Sequence, residues 1–216
     1  MKKKSYAVFG LGRYGLAVSK ELVANGMDVI AIDADSKIVN DAAAFLPVCK
    51  CADITDPEVI SRLGIDSIDV VIICMADHLD ATVMAIALCK EVGVKKIVVK
   101  CGSEIQQKIF LRVGADEVVF PEKESGMHLA KMLVSFGFVD MMSISEDVSI
   151  VEIDVSDEWA GKTLIDLSLR KKYGFNVIAI KNGANANVNF NPETPLNLGE
   201  KLIVVANKTK LMKMKQ

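Results

Sequence analysis

The turn Tyr6-Ala-Val-Phe-Gly10-Leu-Gly12-Arg13-Tyr14-Gly15 constrains this chain more than any other stretch. A short apolar run feeds a bend with three glycines, and the periodic segment from Leu16 to Val23 then reads as a helix. That spacing suits a strand–turn–helix that cradles a pyrophosphate. Gly10 permits the tight bend, Gly12 leaves bare backbone against phosphate oxygens, and Gly15 lets helix and strand pack closely. The helix start also offers unpaired N–H groups to an anion. Asp33 lies 21 residues beyond Gly12, at the end of Val29-Ile-Ala-Ile32, where a carboxylate accepts hydrogen bonds from ribose hydroxyls. A glycine turn alone says little, but strand, helix, second strand and acid in register point to a bound adenine nucleotide.

Strand-like and helix-length segments alternate through residue 135, the pattern of a parallel sheet with crossover helices. The strands read are Tyr6–Phe9, Asp28–Ile32, Val48–Cys51, Val70–Cys74, Lys96–Val99 and Glu117–Phe120. Helices are predicted near Arg13–Asn25, Ser36–Phe45, Asp56–Leu63, Leu79–Val92, Ser103–Val113 and Ser125–Phe136, the last ending at Gly137. From Met142 the pattern changes to shorter runs at Ser149–Val155, Asn176–Lys181, Asn187–Phe190 and Lys201–Ala206, with one helix at Thr163–Leu169. Asn, Gly and Pro gather between 182 and 199 as turn material. The expected architecture is α/β: a Rossmann-like doubly wound parallel sheet over residues 1–140, with a second, smaller α+β domain over 141–216.

Composition narrows the function. Of 216 residues, 51% are hydrophobic, enough for a real core. No apolar run reaches membrane-spanning length, and Lys2–Lys4 leads straight into a strand rather than a signal-peptide core. A cytoplasmic protein is therefore expected, reaching the membrane only through a partner and not by direct insertion. A net charge of −2 without a basic, aromatic-lined stripe argues against a nucleic-acid partner. Lysines 208, 210, 213 and 215 read as a solvated helix face. The five cysteines, Cys49, Cys51, Cys74, Cys89 and Cys101, sit beside or inside apolar segments and read as reduced core thiols. Cys49-Lys-Cys51 has the wrong spacing for a redox or zinc motif, and two histidines make a metal cluster improbable.

In a doubly wound sheet the ligand lies over the carboxyl ends of the strands, so the residues just after each strand are the candidates. They are Arg13 and Tyr14 after the first; Asp33 and Asp35 after the second; Asp53, Ile54 and Thr55 after the third; Ala76, Asp77 and His78 after the fourth; Lys100 after the fifth; and Glu122, Lys123 and Glu124 after the sixth. The guanidinium of Arg13 suits terminal phosphates. Asp53 contacts adenine or caps the following helix, and His78 contacts the ligand or merely opens one. Glu122 either meets a helix dipole or holds a hard cation beside phosphates. Neither a Walker lysine loop nor a Ser/Cys–His arrangement occurs, and the small second module holds no histidine or cysteine, so no catalysis is expected.

The motifs Ala7-Val-Phe-Gly-Leu-Gly-Arg-Tyr-Gly15, Ala31-Ile-Asp33, Ala52-Asp-Ile-Thr55, Gly114-Ala-Asp-Glu-Val118 and Pro121-Glu-Lys-Glu-Ser-Gly126 resemble the regulatory RCK subunits of bacterial potassium transporters, the KtrA/TrkA type. The run from Ile165 to Ile180 resembles the second, ligand-binding lobe of that family, so the likeness covers the whole chain. The resemblance implies homodimers assembled into an octameric ring on the inner face of the membrane, docked on a KtrB/TrkH-like potassium-translocating subunit and gating it in response to ATP and ADP. It implies that Gly10, Gly12 and Gly15 carry phosphates, that Arg13 approaches the terminal phosphate across the dimer, and that Asp33 and Asp53 hold ribose and adenine. Glu122 matches the glutamate that helps hold a cation, Mg²⁺ or Na⁺, near the γ-phosphate. For members sensing cyclic di-AMP, the matching positions are Leu164, Ile165, Asp166, Arg170, Asn176, Ile178 and Pro192. Lys171 beside Arg170 is placed to share its role, and the Asn-rich turn Asn182–Asn191 matches nothing in the family pattern. Two other readings stand beside it: an NAD(H)-binding oxidoreductase or redox sensor, and a domain of a larger transporter chain.

Overall fold

The computed structural model describes residues 3–134 and 138–213. The chain forms two compact units, Met1–Ser125 and Gly126–Gln216.

In the first unit six parallel strands, β1 (Ser5–Phe9), β2 (Asp28–Asp33), β3 (Cys49–Cys51), β4 (Val70–Ile73), β5 (Ile97–Lys100) and β6 (Glu117–Val119), lie in the order β3-β2-β1-β4-β5-β6. The order reverses between β1 and β4, which opens a crevice at their carboxyl ends. Ala7, Val8 and Phe9 are all 0% exposed, because a parallel sheet covered by helices must be apolar on both faces. Phe9, Ile73, Ile86 and Ile97 belong to one core cluster and Val8, Val29, Ala31 and Leu46 to another. Each fully buried side chain of this kind contributes roughly 1.5–3 kcal/mol.

The helices are α1 (Arg13–Ala24), α2 (Ser36–Ala42), α3 (Pro57–Arg62), α4 (Leu79–Glu91), α5 (Glu104–Val113) and α6 (Pro121–Val134). Asp35, Asp56 and Ser103 cap α2, α3 and α5 by accepting backbone N–H bonds from Lys37, Glu58 and Gln106. Gly12 and His78 open α1 and α4 with no side-chain cap, leaving those first-turn N–H groups to another acceptor.

The second unit is an antiparallel sheet of β7 (Phe138–Ser143), β8 (Val148–Asp154), β9 (Asn176–Asn182), β10 (Asn185–Asn187) and β11 (Lys201–Asn207), in the order β10-β9-β11-β8-β7. β11 alternates buried and half-buried residues, the mark of a strand with one core face. That face packs Val151, Ile153, Leu202 and Val204 against Trp159, Phe175 and Leu196. Short helices α7 (Leu164–Leu167), α8 (Leu169–Tyr173) and α9 (Lys208–Lys213) complete the unit.

Several boundaries differ from the sequence reading. α6 starts at Pro121, four residues before the predicted Ser125, because proline suits the first helical position where no N–H is needed. Its predicted end at Phe136 and Gly137 lies outside the described residues. The single helix predicted over Thr163–Leu169 is broken at Ser168, which takes φ 46°, and resumes as α8. β7 was not predicted, and the expected strand at Asn187–Phe190 instead runs over Asn185–Asn187. There the Asn182-Gly183 turn folds β10 directly back on β9, with Gly183 at φ 57°. Cys89 and Cys101 are buried as expected of core thiols, but Cys51 is exposed because β3 is an edge strand.

Candidate functional site

A cleft of 580 Å³ opens over the carboxyl ends of the sheet, lined by Gly10 and Gly12 from the first turn, Asp33 and Asp35 after β2, Asp53 to Thr55 after β3, and Met75, Asp77 and His78 after β4. The turn is packed from behind and open in front. Gly10 takes φ 85°, and a Cβ there would lie 2.7 Å from Met75 Cγ and 3.1 Å from the Cys74 carbonyl. At Gly15 a Cβ would come within 1.9 Å of the Gly10 carbonyl oxygen, so only glycine lets α1 rest on the turn. At Gly12, by contrast, a Cβ would meet nothing within 4 Å. The bare backbone at Gly12 and the uncapped start of α1 thus face the cleft together, a geometry suited to phosphate.

Asp33 does more than wait for a ribose. Its Oδ2 accepts the Leu11 N–H at 2.7 Å and its Oδ1 accepts the Asp35 N–H at 2.9 Å, so the carboxylate ties the glycine turn to the end of β2. An ionised carboxylate keeps further lone pairs for a ligand hydroxyl. Asp35 is occupied as the α2 cap. Asp53 accepts both the N–H and the hydroxyl of Thr55, at 2.9 and 2.7 Å, which hold its pKa below the usual carboxylate value. It does not cap α3, because Asp56 does. Ile54 is buried in the floor of the cleft.

Of the remaining candidates, Gly15 and Ala76 are buried. The Ala76 carbonyl accepts Gln106 Nε2 at 2.8 Å, while Gln106 Oε1 accepts the Gly102 N–H at 2.7 Å. Gln106 therefore locks the loop after β4 to the loop after β5. Neither it nor the Leu11 N–H was singled out from sequence, since a backbone donor and a lone glutamine on a helix carry no pattern. Arg13 is exposed at the start of α1. Lys100 and Glu122 form an ion pair at 2.7 Å, with Lys100 17% and Glu122 61% exposed at the side chain. The Lys100 ammonium holds the Glu122 pKa down. Tyr14 lies beside this pair, its ring centroid 6.0 Å from Lys100 Nζ; burial raises its pKa, and the nearby Cys74 and Glu124 add to the rise. Among the described residues, no three His, Cys, Asp or Glu side chains converge as a metal site.

In the second unit Asp166 is engaged in a capping box, accepting the N–H and hydroxyl of Thr163 at 3.0 and 2.7 Å. Leu164 packs on the core. Ile165 and Ile178 are 57% and 41% exposed, and Arg170, Asn176 and Pro192 are exposed with them. These residues stand on open surface.

A doubly wound parallel sheet followed by a small antiparallel lobe is the two-unit architecture of RCK-domain proteins. The TrkA-N domain matches residues 6–121 and the TrkA-C domain residues 148–216. The Ktr system potassium uptake protein C of Bacillus subtilis (strain 168) is 34% identical over 99% of this chain and 97% of its own length. The Ktr system potassium uptake protein A of Vibrio alginolyticus is 33% identical over 96% of this chain and 94% of its own length. Among solved structures the GsuK channel superposes with a TM-score of 0.70 at 15% identity, covering 99% of this chain and 39% of the channel chain, a likeness of fold alone. The chain belongs to the KtrA/TrkA family of RCK-domain regulatory subunits of potassium uptake systems. Among the described residues no helix is long and apolar enough to cross a membrane.

Proposed function

We propose that this chain is a cytoplasmic nucleotide sensor that gates a membrane potassium-translocating subunit, binding ATP and ADP in the first-unit cleft without catalysing a reaction. The observation that carries this reading is the meeting, in one cleft, of the open Gly12 backbone and the Asp33 carboxylate. Phosphates against the uncapped start of α1, ribose at Asp33 and adenine near Asp53 and Ile54 would fill it. Arg13, standing exposed outside the cleft, suits contact with the terminal phosphate of a nucleotide held by a second copy in a dimer. A cation at Glu122 would draw most of its oxygen ligands from phosphates, because the described residues offer no converging set, and Lys100 would have to share its carboxylate.

In the second unit, Ile165 and Ile178 suit the faces of a base and Arg170 and Asn176 suit phosphate and base edges. Because they are exposed in one copy, cyclic di-AMP would bind between two. The wider assembly in this reading is a homodimer built into an octameric ring on a KtrB/TrkH-like partner.

The test is co-purification with that membrane partner, followed by potassium flux in vesicles with ATP and then ADP. Different fluxes with the two nucleotides are expected, because a ligand shifts a conformational equilibrium only through differential affinity for its states. Equal flux with and without nucleotide would refute gating. The same glycine turn and acid would also accept NAD(H), and NADH in place of ATP is the control that separates the redox-sensor reading.

A further inference from the structure

We propose that the asparagine-rich hairpin of the second unit forms a site for an uncharged, polyhydroxylated small molecule of monosaccharide size. In the β9–β10 hairpin Asn185 pairs with Asn182 and Asn187 with Ile180. Directly paired residues share a face, as do residues two apart in a strand. Asn182, Asn185 and Asn187 therefore extend the face that carries Ile180 beyond the apolar core of the sheet. A loop returns to β11, bringing Phe190, Asn191, Thr194 and Pro195, and these residues and Glu200 line, with the hairpin, a concavity of 260 Å³. It shares no residue with the first-unit cleft or with the seven positions assigned to cyclic di-AMP.

The lining selects the ligand chemistry. It contains no lysine, arginine or histidine, so an anion would face Glu200 without a counter-charge. A metal cation would find one carboxylate, both of whose oxygens already accept from Asn197, at 2.9 Å from its N–H and 3.2 Å from its amide nitrogen. What remains open is amide chemistry. Among the described residues Asn182 and Asn185 make no side-chain hydrogen bond, while Asn187 and Asn191 use only their carbonyl oxygens, on the N–H groups of Asn189 and Glu193. Carboxamides from the hairpin and from the returning loop thus line one concavity, together with Thr194. Hydroxyl groups, each both donor and acceptor, satisfy all of these at once, whereas a planar base presents its edges in one plane only. Ile180, Phe190 and Pro195 supply the apolar surface that the C–H face of a ring would cover. Drug-sized ligands occupy pockets of about 300–1,000 Å³, so this one suits something smaller.

Saturation-transfer NMR on the intact chain, with D-glucose and myo-inositol as probes, tests the assignment independently of the nucleotide reading. Transfer to a polyol is expected, with affinity reduced about tenfold in Asn185→Ala/Asn187→Ala through loss of two ligand bonds. If that variant fails to fold, as read by emission from Trp159, Asn185→Ala alone serves, because its carboxamide holds nothing in the protein; a weakened polyol signal with unchanged emission is then expected. No transfer to either polyol, or transfer unaffected by the asparagine substitutions, would each overturn the proposal.

Discussion

The two units hold their candidate sites in opposite ways. In the first, the candidate residues are gathered by a parallel sheet into one concave cleft, and the key carboxylate is built into the fold: Asp33 holds the glycine turn through Leu11 at 2.7 Å. In the second, the residues assigned to a cyclic dinucleotide lie spread on the outer surface, with Ile165 57% exposed and Asp166 committed to starting α7. The first candidate site is largely complete within one copy and fails with the fold around it, whereas the second, in the proposed reading, needs a partner surface, and its exposed members Arg170 and Asn176 tolerate substitution without loss of structure.

The sharpest break of this contrast is Gly15→Ala. Its Cβ would lie 1.9 Å from the Gly10 carbonyl oxygen, so backbone must move, at a cost of about 3 kcal/mol. Nucleotide binding should be lost while binding of cyclic di-AMP persists; calorimetry with each ligand checks both, and joint loss would show the units are not separable. Asp33→Asn comes next. Asparagine has one acceptor oxygen where the carboxylate uses two, so either the Leu11 or the Asp35 N–H loses its partner, and a ribose contact goes as well. A charged hydrogen bond contributes roughly 1.5–3 kcal/mol, which predicts tenfold to hundredfold weaker ATP binding together with a lower melting temperature. An unchanged melting temperature would return Asp33 to the simpler role of an exposed loop carboxylate.

Arg170→Ala should weaken cyclic di-AMP by about 2 kcal/mol with no change in melting temperature or ATP affinity, since its side chain is exposed. A destabilised protein would contradict the open-surface description. Smallest is Glu152, 8% exposed at its side chain and bound to Lys181 and Lys201 at 2.8 and 2.7 Å. Those lysines hold its pKa below 4.5, so its contribution is present above pH 4.5 and is lost as the pH falls through the lowered folded value. Glu152→Gln should cost about 1–2 kcal/mol at neutral pH and flatten that acid slope, read by urea unfolding monitored at Trp159, the chain's single tryptophan.

Where apolar runs were continuous and glycines punctuated them, sequence was enough: all six strands of the first sheet and the crevice beside Gly12 and Asp33 could be read in order. Local hydrogen bonding hid the rest. Ser168 takes a left-handed conformation that no pattern announces, and the Asn182-Gly183 turn moves β10 two residues earlier than its polar composition suggests. The double duty of Asp33 was invisible because its partners are backbone N–H groups. The Lys100–Glu122 pair joins the ends of neighbouring strands β5 and β6, so strand order was needed to bring it together.

Calorimetric titration of the intact chain with ATP, ADP and NADH, in wild type and Arg13→Ala, tests whether the first-unit cleft is an adenine nucleotide sensor. ATP and ADP are both expected to bind more tightly than NADH, and Arg13→Ala to weaken ATP more than ADP. Tighter binding of NADH, or no binding of either adenine nucleotide, would contradict that role.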